Sequence, residues 1–150
     1  MRDLLYQEAS KLGLNVNNGG TYVNMDGPAF STRAESETNR RLGFDVIGMT
    51  NLPEAKLARE AEISLATLAM ITDYDCWKVE EDAVNAHAVI EHVMANAENA
   101  KSVLRGVIPQ IPEQADWPEH SALDTALVTD RSLWPDQTAK NLSPILERFL

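Results

Sequence analysis

Cysteine is almost absent from this chain. Cys76 is the only one among 150 residues, so the sequence excludes an intrachain disulfide and a zinc site built from several cysteine thiolates. Chains without disulfides are typical of reducing compartments. The sequence therefore predicts a cytoplasmic protein.

Positive charge and long apolar runs are scarce too. The chain has 13 lysines and arginines against 23 aspartates and glutamates, a formal net charge of −10. Nucleic acids and anionic membranes are bound through an excess of basic side chains, so we expect neither as a partner. The longest nearly apolar run, residues 63–72, is far shorter than the roughly 20 residues that cross a bilayer. The N-terminus lacks the apolar core of a signal peptide.

A P-loop and a G-x-G-x-x-G fingerprint are missing as well. What the chain does have is an alternation of helical and strand-like patterns, which is typical of an α/β domain. Helices are predicted over residues 1–12, 33–42, 51–62 and 80–105. Strands are predicted over residues 21–25, 45–49 and 63–72, the last as a long buried strand. The length fits one domain, residues 1–150, with residues 113–150 as its helical C-terminal tail.

Each predicted strand is followed by residues that suit a binding site. They are Phe30-Ser31-Thr32, Met49-Thr50-Asn51 and Asp73-Tyr74-Asp75. Ligands of open α/β sheets bind at the carboxyl ends of the strands, so we expect the three groups to converge.

The first group runs into a helix-start signal. Residues 32–35 read T-R-A-E, which matches a capping box. The N–H groups at such a helix start suit an anion or another ligand. An ordinary strand-to-helix connection explains the same pattern.

Asp73 and Asp75 leave three interpretations open. Two carboxylates one residue apart can hold magnesium or manganese, or pair a general acid with an ionised neighbour, or lie in a solvated loop. Thr50 precedes a helix that begins near Asn51, so it can donate to a phosphate or belong to the helix cap. His87 and His92 do not have the i, i+4 spacing of a zinc helix.

These residues also carry a resemblance. The chain resembles the 5'-methylthioadenosine phosphorylases of the trimeric purine nucleoside phosphorylase family over residues 1–112. Three runs match: 27–36 (GPAFSTRAES), 45–54 (DVIGMTNLPE) and 69–78 (AMITDYDCWK). The resemblance implies a twisted mixed β-sheet flanked by helices in three αβα layers, of which this chain is the C-terminal half.

The resemblance also implies an activity. Phosphate would displace adenine from 5'-methylthioadenosine and give 5-methylthioribose 1-phosphate, with inorganic phosphate as co-substrate and no cofactor or metal. Asp73 would bind purine N7 as the catalytic acid, and Thr50 would bind phosphate. The other implied substrate contacts come from Phe30, Ser31, Met49, Asp75, Ala86, Val89 and Ile90.

The resemblance reaches only about half of a family subunit. The other half carries a glycine-rich turn, an arginine and a histidine that hold phosphate in the family. We therefore expect the 150 residues alone to be inactive, and to act in a trimer or with the missing N-terminal half. The alternative is a non-catalytic fragment, or the partner-dependent half of a split phosphorylase. A metal-dependent protein and a nucleosidase that uses water are further rivals.

Overall fold

The computed structural model describes residues 1–78 and 86–150, with the backbone alone at residues 86–89. It divides into two compact units, Met1–Leu52 with Ala66–Glu113, and Pro53–Leu65 with Gln114–Leu150. The assignment of residues 1–150 to one domain, with 113–150 as its tail, stays a prediction. The longer elements are α1 (Arg2–Lys11), β1 (Tyr22–Asn24), α2 (Arg33–Arg41), β2 (Val46–Gly48), α3 (Asn51–Glu60) and α4 (Ala86–Val107).

The C-terminal part of the chain contains only short helical elements. Two are α-helices, α5 (Asp136–Asn141) and α6 (Ser143–Leu146). The others are 3-10 turns at Ile108–Gln110, Pro118–Ser121, Arg131–Leu133 and Glu147–Phe149. No helix in the described ranges combines the length and the apolarity that a bilayer span requires.

β1 and β2 form a two-stranded parallel sheet. Tyr22 lies opposite Val46, and Asn24 lies opposite Gly48. The ladder continues past β1, where the Met25 N–H donates to the Gly48 carbonyl at 2.9 Å. Parallel strands need a crossover connection, and α2 provides it. The predicted order of strand, helix and strand is confirmed here.

The third predicted strand is wrong. Within the described chain, residues 63–72 belong to no strand, and the predicted burial also fails, since Met70 and Ile71 are 51% and 56% exposed. An apolar run becomes a strand only when a neighbouring strand pairs with its N–H and C=O groups. The sequence of the run cannot say whether that neighbour is present. We call residues 66–72 the edge segment.

The core of the first unit lies between α1 and α4. It consists of Leu5 and Ala9 from α1 with Val103 and Val107 from α4, all buried. The side chains packed around it are Leu4, Leu14, Val16, Ala66, Leu68 and Ile111. Two residues of the edge segment therefore lie against this core.

The face of α4 that is buried differs from the predicted one. The sequence pattern predicts a buried stripe that includes Ile90, Val93 and Leu104, but these side chains are 56%, 47% and 44% exposed. α4 carries two rows of apolar side chains that are offset by one position along the helix, as Val103 and Leu104 are. α1 covers the row that contains Val103 and Val107. Helical periodicity identifies both rows but does not say which one meets a neighbour.

Three helices end in the same way. Gly13 and Gly43 have positive φ values of 73° and 78°, and Glu62 has a φ of 55°. In each case the next residue donates to a carbonyl five positions back, as the Ile63 N–H does to Ala58 at 2.8 Å. This is the Schellman arrangement, in which glycine is the usual left-handed residue. Glutamate at this position after α3 calls for a separate explanation.

An ion-pair network in the second unit explains Glu62. Its side chain is only 13% exposed, accepts from the Leu123 N–H at 2.9 Å, and binds Arg148, whose Nε lies 2.9 Å from Oε2. Arg148 also pairs with Asp124. Hydrogen bonds from Arg148 and from Leu123 lower the pKa of Glu62, and the two carboxylates raise the pKa of Arg148. The network ties the end of α3 to residues near the C-terminus.

Replacing Glu62 with glutamine should lower the thermal unfolding midpoint near pH 7, because the charged partner of Arg148 is lost. The pKa of Glu62 is lower in the folded chain than the value of about 4.3 for unfolded glutamate. Its contribution is therefore complete above about pH 4.3 and is lost as the pH falls toward the folded pKa. Circular dichroism melts should show a larger acid-induced loss in the wild type than in the variant.

Glu60→Gln is the matched control, since Glu60 is exposed at the end of the same helix. Its thermal unfolding midpoint should match that of the wild type both near pH 7 and below about pH 4.3. Equal acid losses in the wild type and in Glu62→Gln would contradict a stabilising role for the Glu62 carboxylate.

Candidate functional site

Three loops carry the candidate site residues. The first loop (residues 25–32) follows β1, the second loop (residues 49–50) follows β2, and the third loop (residues 73–78) follows the edge segment. The first and second loops are in contact at Gly27 and Met49. A Cβ atom placed on Gly27 would lie 3.4 Å from the Sδ of Met49. Gly27 has a φ of 69°, so both its conformation and this close approach favour glycine.

α2 begins with the predicted capping box. The Thr32 hydroxyl accepts from the Glu35 N–H at 3.3 Å, and Glu35 Oε2 accepts from the Thr32 N–H at 2.7 Å. Hydrogen bonds that the N–H and the hydroxyl of Thr32 donate to the Glu35 carboxylate lower its pKa, which keeps a carboxylate on the positive end of the helix. A second anion there would meet that charge. The geometry favours an ordinary helix cap over the anion-binding site that the sequence left as an alternative.

The start of α3 is held differently. Asn24, at the end of β1, accepts from the Leu52 N–H with its side-chain oxygen at 3.1 Å. The oxygen of Asn51 accepts from the Thr67 hydroxyl at 2.7 Å. Neutral groups therefore hold this helix start between β1 and the edge segment. Thr50, directly before it, is exposed, and no carboxylate caps the N–H groups beside it within the described residues.

Aromatic and cationic side chains fix the third loop. Tyr74 and Trp77 pack edge to face, with ring centroids 5.7 Å apart. The guanidinium carbon of Arg40, on α2, lies 4.1 Å from the Trp77 ring centroid. The Cys76 thiol donates to the Ser31 carbonyl at 3.5 Å. The third loop is thus attached to both α2 and the first loop, which agrees with the predicted convergence of these two loops although no strand directly precedes the third loop in the described chain.

The two aspartates of the third loop differ in surroundings. Asp73 is exposed and accepts a 2.6 Å hydrogen bond from the Thr72 hydroxyl. Asp75 is half-buried and accepts from the Cys76 N–H at 2.9 Å. Among the described residues, no group of three or more histidine, cysteine, aspartate or glutamate side chains could hold a metal ion. The described residues therefore provide no third ligand for a metal ion held by Asp73 and Asp75.

The other candidate residues vary in exposure. Phe30 is 81% exposed, while Ser31 and Met49 are half-buried. Ile90 is 56% exposed on α4. Ala86 and Val89 are in the same helix, but their side chains lie outside the described part. An apolar ring as exposed as Phe30 has a face free to stack on a ligand.

Three contacts of this site were missed from the sequence. Arg40 under Trp77, Asn24 at the start of α3, and Thr67 on Asn51 all join residues from different elements. Only the contact of Asn24 has a signal in the sequence. A polar residue that ends a strand, as Asn24 does, can accept a hydrogen bond from the N–H groups at a neighbouring helix start. The three residues position the loops without being among the predicted ligands.

The comparisons with known proteins assign the family. Residues 1–109 match the family model described as the phosphorylase superfamily, which is most of the 150 residues. The chain belongs to the phosphorylase superfamily. It is 49% identical over 149 residues to S-methyl-5'-thioadenosine phosphorylase from Chloroflexus aurantiacus, covering 99% of this chain and 52% of that one. It is 46% identical to the enzyme of the same name from Geobacter sulfurreducens, with 97% and 51% covered.

Solved phosphorylase structures resemble the fold as well. A methylthioadenosine phosphorylase from Schistosoma mansoni in complex with adenine has a TM-score of 0.70 and 34% identity, over 85% of this chain and 50% of that one. A double mutant of the adenosine/methylthioadenosine phosphorylase of that species, also with adenine, has a TM-score of 0.74 at 30% identity, over 88% and 53%. The α/β phosphorylase fold is thereby confirmed. The chain spans about half the length of the relatives it matches.

Proposed function

We propose that this chain is part of an enzyme that cleaves the N-glycosidic bond of 5'-methylthioadenosine with inorganic phosphate. The products are adenine and 5-methylthioribose 1-phosphate, a salvage reaction of purine and methionine metabolism. The observation that carries the proposal is the meeting of the first and third loops, where the Cys76 thiol reaches the Ser31 carbonyl. Relatives named for this activity, matching 97–99% of the chain, support it.

The chemistry assigns roles to the polar residues of the loops. A phosphate oxygen attacks ribose C1′ as the bond from C1′ to N9 breaks, and that electron pair moves into the purine. Asp73 is the catalytic acid that gives its proton to N7 of the departing base. Asp75 recognises the 6-amino group, and Thr50 binds phosphate beside the start of α3, where the Leu52 N–H is capped by the neutral Asn24 side chain and not by a carboxylate.

The remaining candidates form the walls of the binding site. Phe30 stacks near the purine and the ribose, Ser31 faces the base, and Met49 lies under the ribose. The pocket for the methylthio group is lined by Ala86, Val89 and Ile90. Apolar walls favour a methylthio group over a hydroxyl, although one such group is worth only about 1–3 kcal/mol.

The chain acts with the rest of a phosphorylase in this proposal. It spans about half of its relatives, and the phosphate-holding arginine and histidine of the family belong to the other half. The assembly is a cytoplasmic trimer that uses no cofactor and binds neither nucleic acid nor membrane. A partner-dependent, non-catalytic half is the second candidate, and the 81% exposure of Phe30 in this chain favours it.

The dependence of adenine release on phosphate tests the proposed reaction. The chain is co-expressed with the remainder of the C. aurantiacus phosphorylase, and adenine and methylthioribose products are measured with and without phosphate. We expect release only with phosphate, and methylthioribose 1-phosphate as the partner product. Equal release without phosphate would mean that water is the nucleophile and would identify a nucleosidase.

A further inference from the structure

Two helices of this chain begin directly after a threonine, but their first turns differ in sequence. Residues 32–35, at the start of α2, read T-R-A-E, and residues 50–53, at the start of α3, read T-N-L-P. A capping box requires glutamate or glutamine at the last of these four positions. α2 has Glu35 there and forms the box, whereas α3 has Pro53, which has no backbone N–H to donate. Thr50 therefore cannot form the capping box that engages the threonine before α2.

The Thr50 hydroxyl lacks the carboxylate partner that its counterpart has. At α2, the Thr32 hydroxyl donates to Glu35 Oε2 at 2.8 Å. Thr50 is exposed, and no carboxylate of the described residues accepts from its hydroxyl. The acidic residue in the first turn of α3 is Glu54, and its side chain is exposed. The start of α3 therefore presents a hydroxyl at the position where α2 holds a carboxylate.

Asn24 caps the start of α3 from a different element. Its side-chain oxygen accepts from the Leu52 N–H at 3.1 Å, and Asn24 is the last residue of β1. The residue is half-buried, so its amide has little room to leave this bond. Because an amide is an uncharged acceptor, it satisfies the Leu52 N–H without adding negative charge to the helix start.

The charge of a cap affects what else binds at a helix start. The positive end of a helix dipole attracts anions such as phosphate. A carboxylate within a few ångströms repels them, because water screens like charges incompletely near a protein surface. Glu35 gives α2 such a charge, whereas Asn24 gives α3 the hydrogen bond alone. Of the two starts, that of α3 suits a doubly charged anion better, and Thr50 lies directly before it.

We propose that Asn24 is a positioning residue for the phosphate co-substrate. Its neutral amide fixes the start of α3 and leaves the Thr50 hydroxyl and the positive end of the helix to the anion. Asn24 acts through these groups without touching phosphate itself. This inference rests on the proposed function, and it adds to that function the residue that sets the affinity for phosphate.

Replacing Asn24 with aspartate tests the role of charge, because the two side chains have nearly the same shape. A carboxylate accepts the same hydrogen bond from Leu52, and acids stabilise helix starts, so the thermal unfolding midpoint should stay equal or rise. The KM for phosphate should nevertheless rise by about 10-fold or more. The kcat and the KM for methylthioadenosine should stay within about three-fold of the wild type, since ground-state phosphate binding alone is weakened. All are measured on the chain co-expressed with the remainder of the C. aurantiacus phosphorylase.

Asn17→Asp is the matched control for net charge. Asn17 is exposed and precedes β1, whereas Asn24 ends that strand. A carboxylate at position 17 should therefore leave the KM for phosphate unchanged. Added salt gives a further check, because mobile ions screen a repulsion between charges. The difference in KM between Asn24→Asp and the wild type should shrink as salt is added, which a packing defect would not cause.

A second pair of variants places charge at the same helix start from another position. Pro53→Glu and Pro53→Gln both complete the capping-box sequence after Thr50 and restore the missing N–H, but only the glutamate adds charge. The glutamate variant should have a KM for phosphate about 10-fold or more above that of the glutamine variant. Both variants lose the proline, so the ratio between them isolates the charge even where that loss alters the helix start.

The outcomes distinguish this inference from the proposed reaction. Inorganic phosphate that binds the assembly raises its thermal unfolding midpoint, which reports binding without turnover. Weaker phosphate binding by Asn24→Asp in an assembly that releases no adenine would leave the inference standing and overturn the reaction. Phosphorolysis in which Asn24→Asp keeps the KM for phosphate within a factor of about two, far below the expected repulsion, would overturn the inference and leave the reaction standing.

Discussion

Replacing Asp73 with asparagine in the completed enzyme should slow phosphorolysis of 5'-methylthioadenosine by about 10²–10⁴-fold, the usual worth of a general acid. Charge builds on the purine as the glycosidic bond breaks, and a carboxylic acid at N7 can neutralise it by giving up a proton. An asparagine amide can donate a hydrogen bond there but cannot transfer a proton. The rate is measured from adenine release at saturating phosphate.

Two comparisons separate acid catalysis from simple binding. The same variant should lose less activity, or gain some, on methylthioinosine, because an amide suits a 6-oxopurine better than an acid does. Asp75→Asn should affect the rate less and act mainly on the preference between the two bases. If Asp73→Asn turnover stays within a factor of about three of the wild type, the loss of rate is far smaller than a general acid contributes. The third loop would then be only a solvated turn.

The isolated 150-residue chain should show no phosphorolysis of 5'-methylthioadenosine. Thr50 is the one phosphate ligand that the resemblance assigns to it, and Thr50 is exposed. A single hydroxyl beside a helix start cannot hold a doubly charged anion in position for attack on C1′. Co-expression with the remainder of the C. aurantiacus enzyme, or its fusion ahead of Met1, should restore turnover.

The control for this complementation is the same co-expression with Asp73→Asn in the chain. That sample should assemble equally well by light scattering and turn over about 10²–10⁴-fold more slowly, which would assign the recovered activity to this chain's own site. Robust turnover by the purified chain alone would show that the phosphate site lies within these 150 residues.

The elements that the sequence predicts well are those fixed by local interactions. The capping box at Thr32 and Glu35 is complete within one turn, and Gly43 ends α2 as expected. β1 and β2 lie within the predicted ranges because each is a short apolar run next to a helix with clear limits. The run at residues 63–72 has a stronger strand pattern than either, yet it pairs with no strand among the described residues, because strand pairing depends on a partner outside the run.

In the candidate site, too, local features can be predicted from the sequence and contacts between distant residues cannot. The contact from Cys76 to Ser31 agrees with the predicted convergence of the first and third loops, although the segment before the third loop is not a strand within the described chain. The contacts of Arg40 with Trp77 and of Asn24 with Leu52 join residues 37 and 28 positions apart. No local pattern marks such pairs. The roles of Asp73, Thr50 and the pocket residues stay predictions.

The hydrogen bond from Cys76 to the first loop has a practical consequence. Cys76 is the only cysteine in the chain, it is exposed, and its sulfur lies 3.5 Å from the carbonyl oxygen of Ser31. A thiol-reactive dye would therefore label the protein at one position only, beside the proposed base-binding loops and without any engineered substitution. The rate of that labelling, followed by fluorescence, becomes a reporter of whether the space between the first and third loops is occupied.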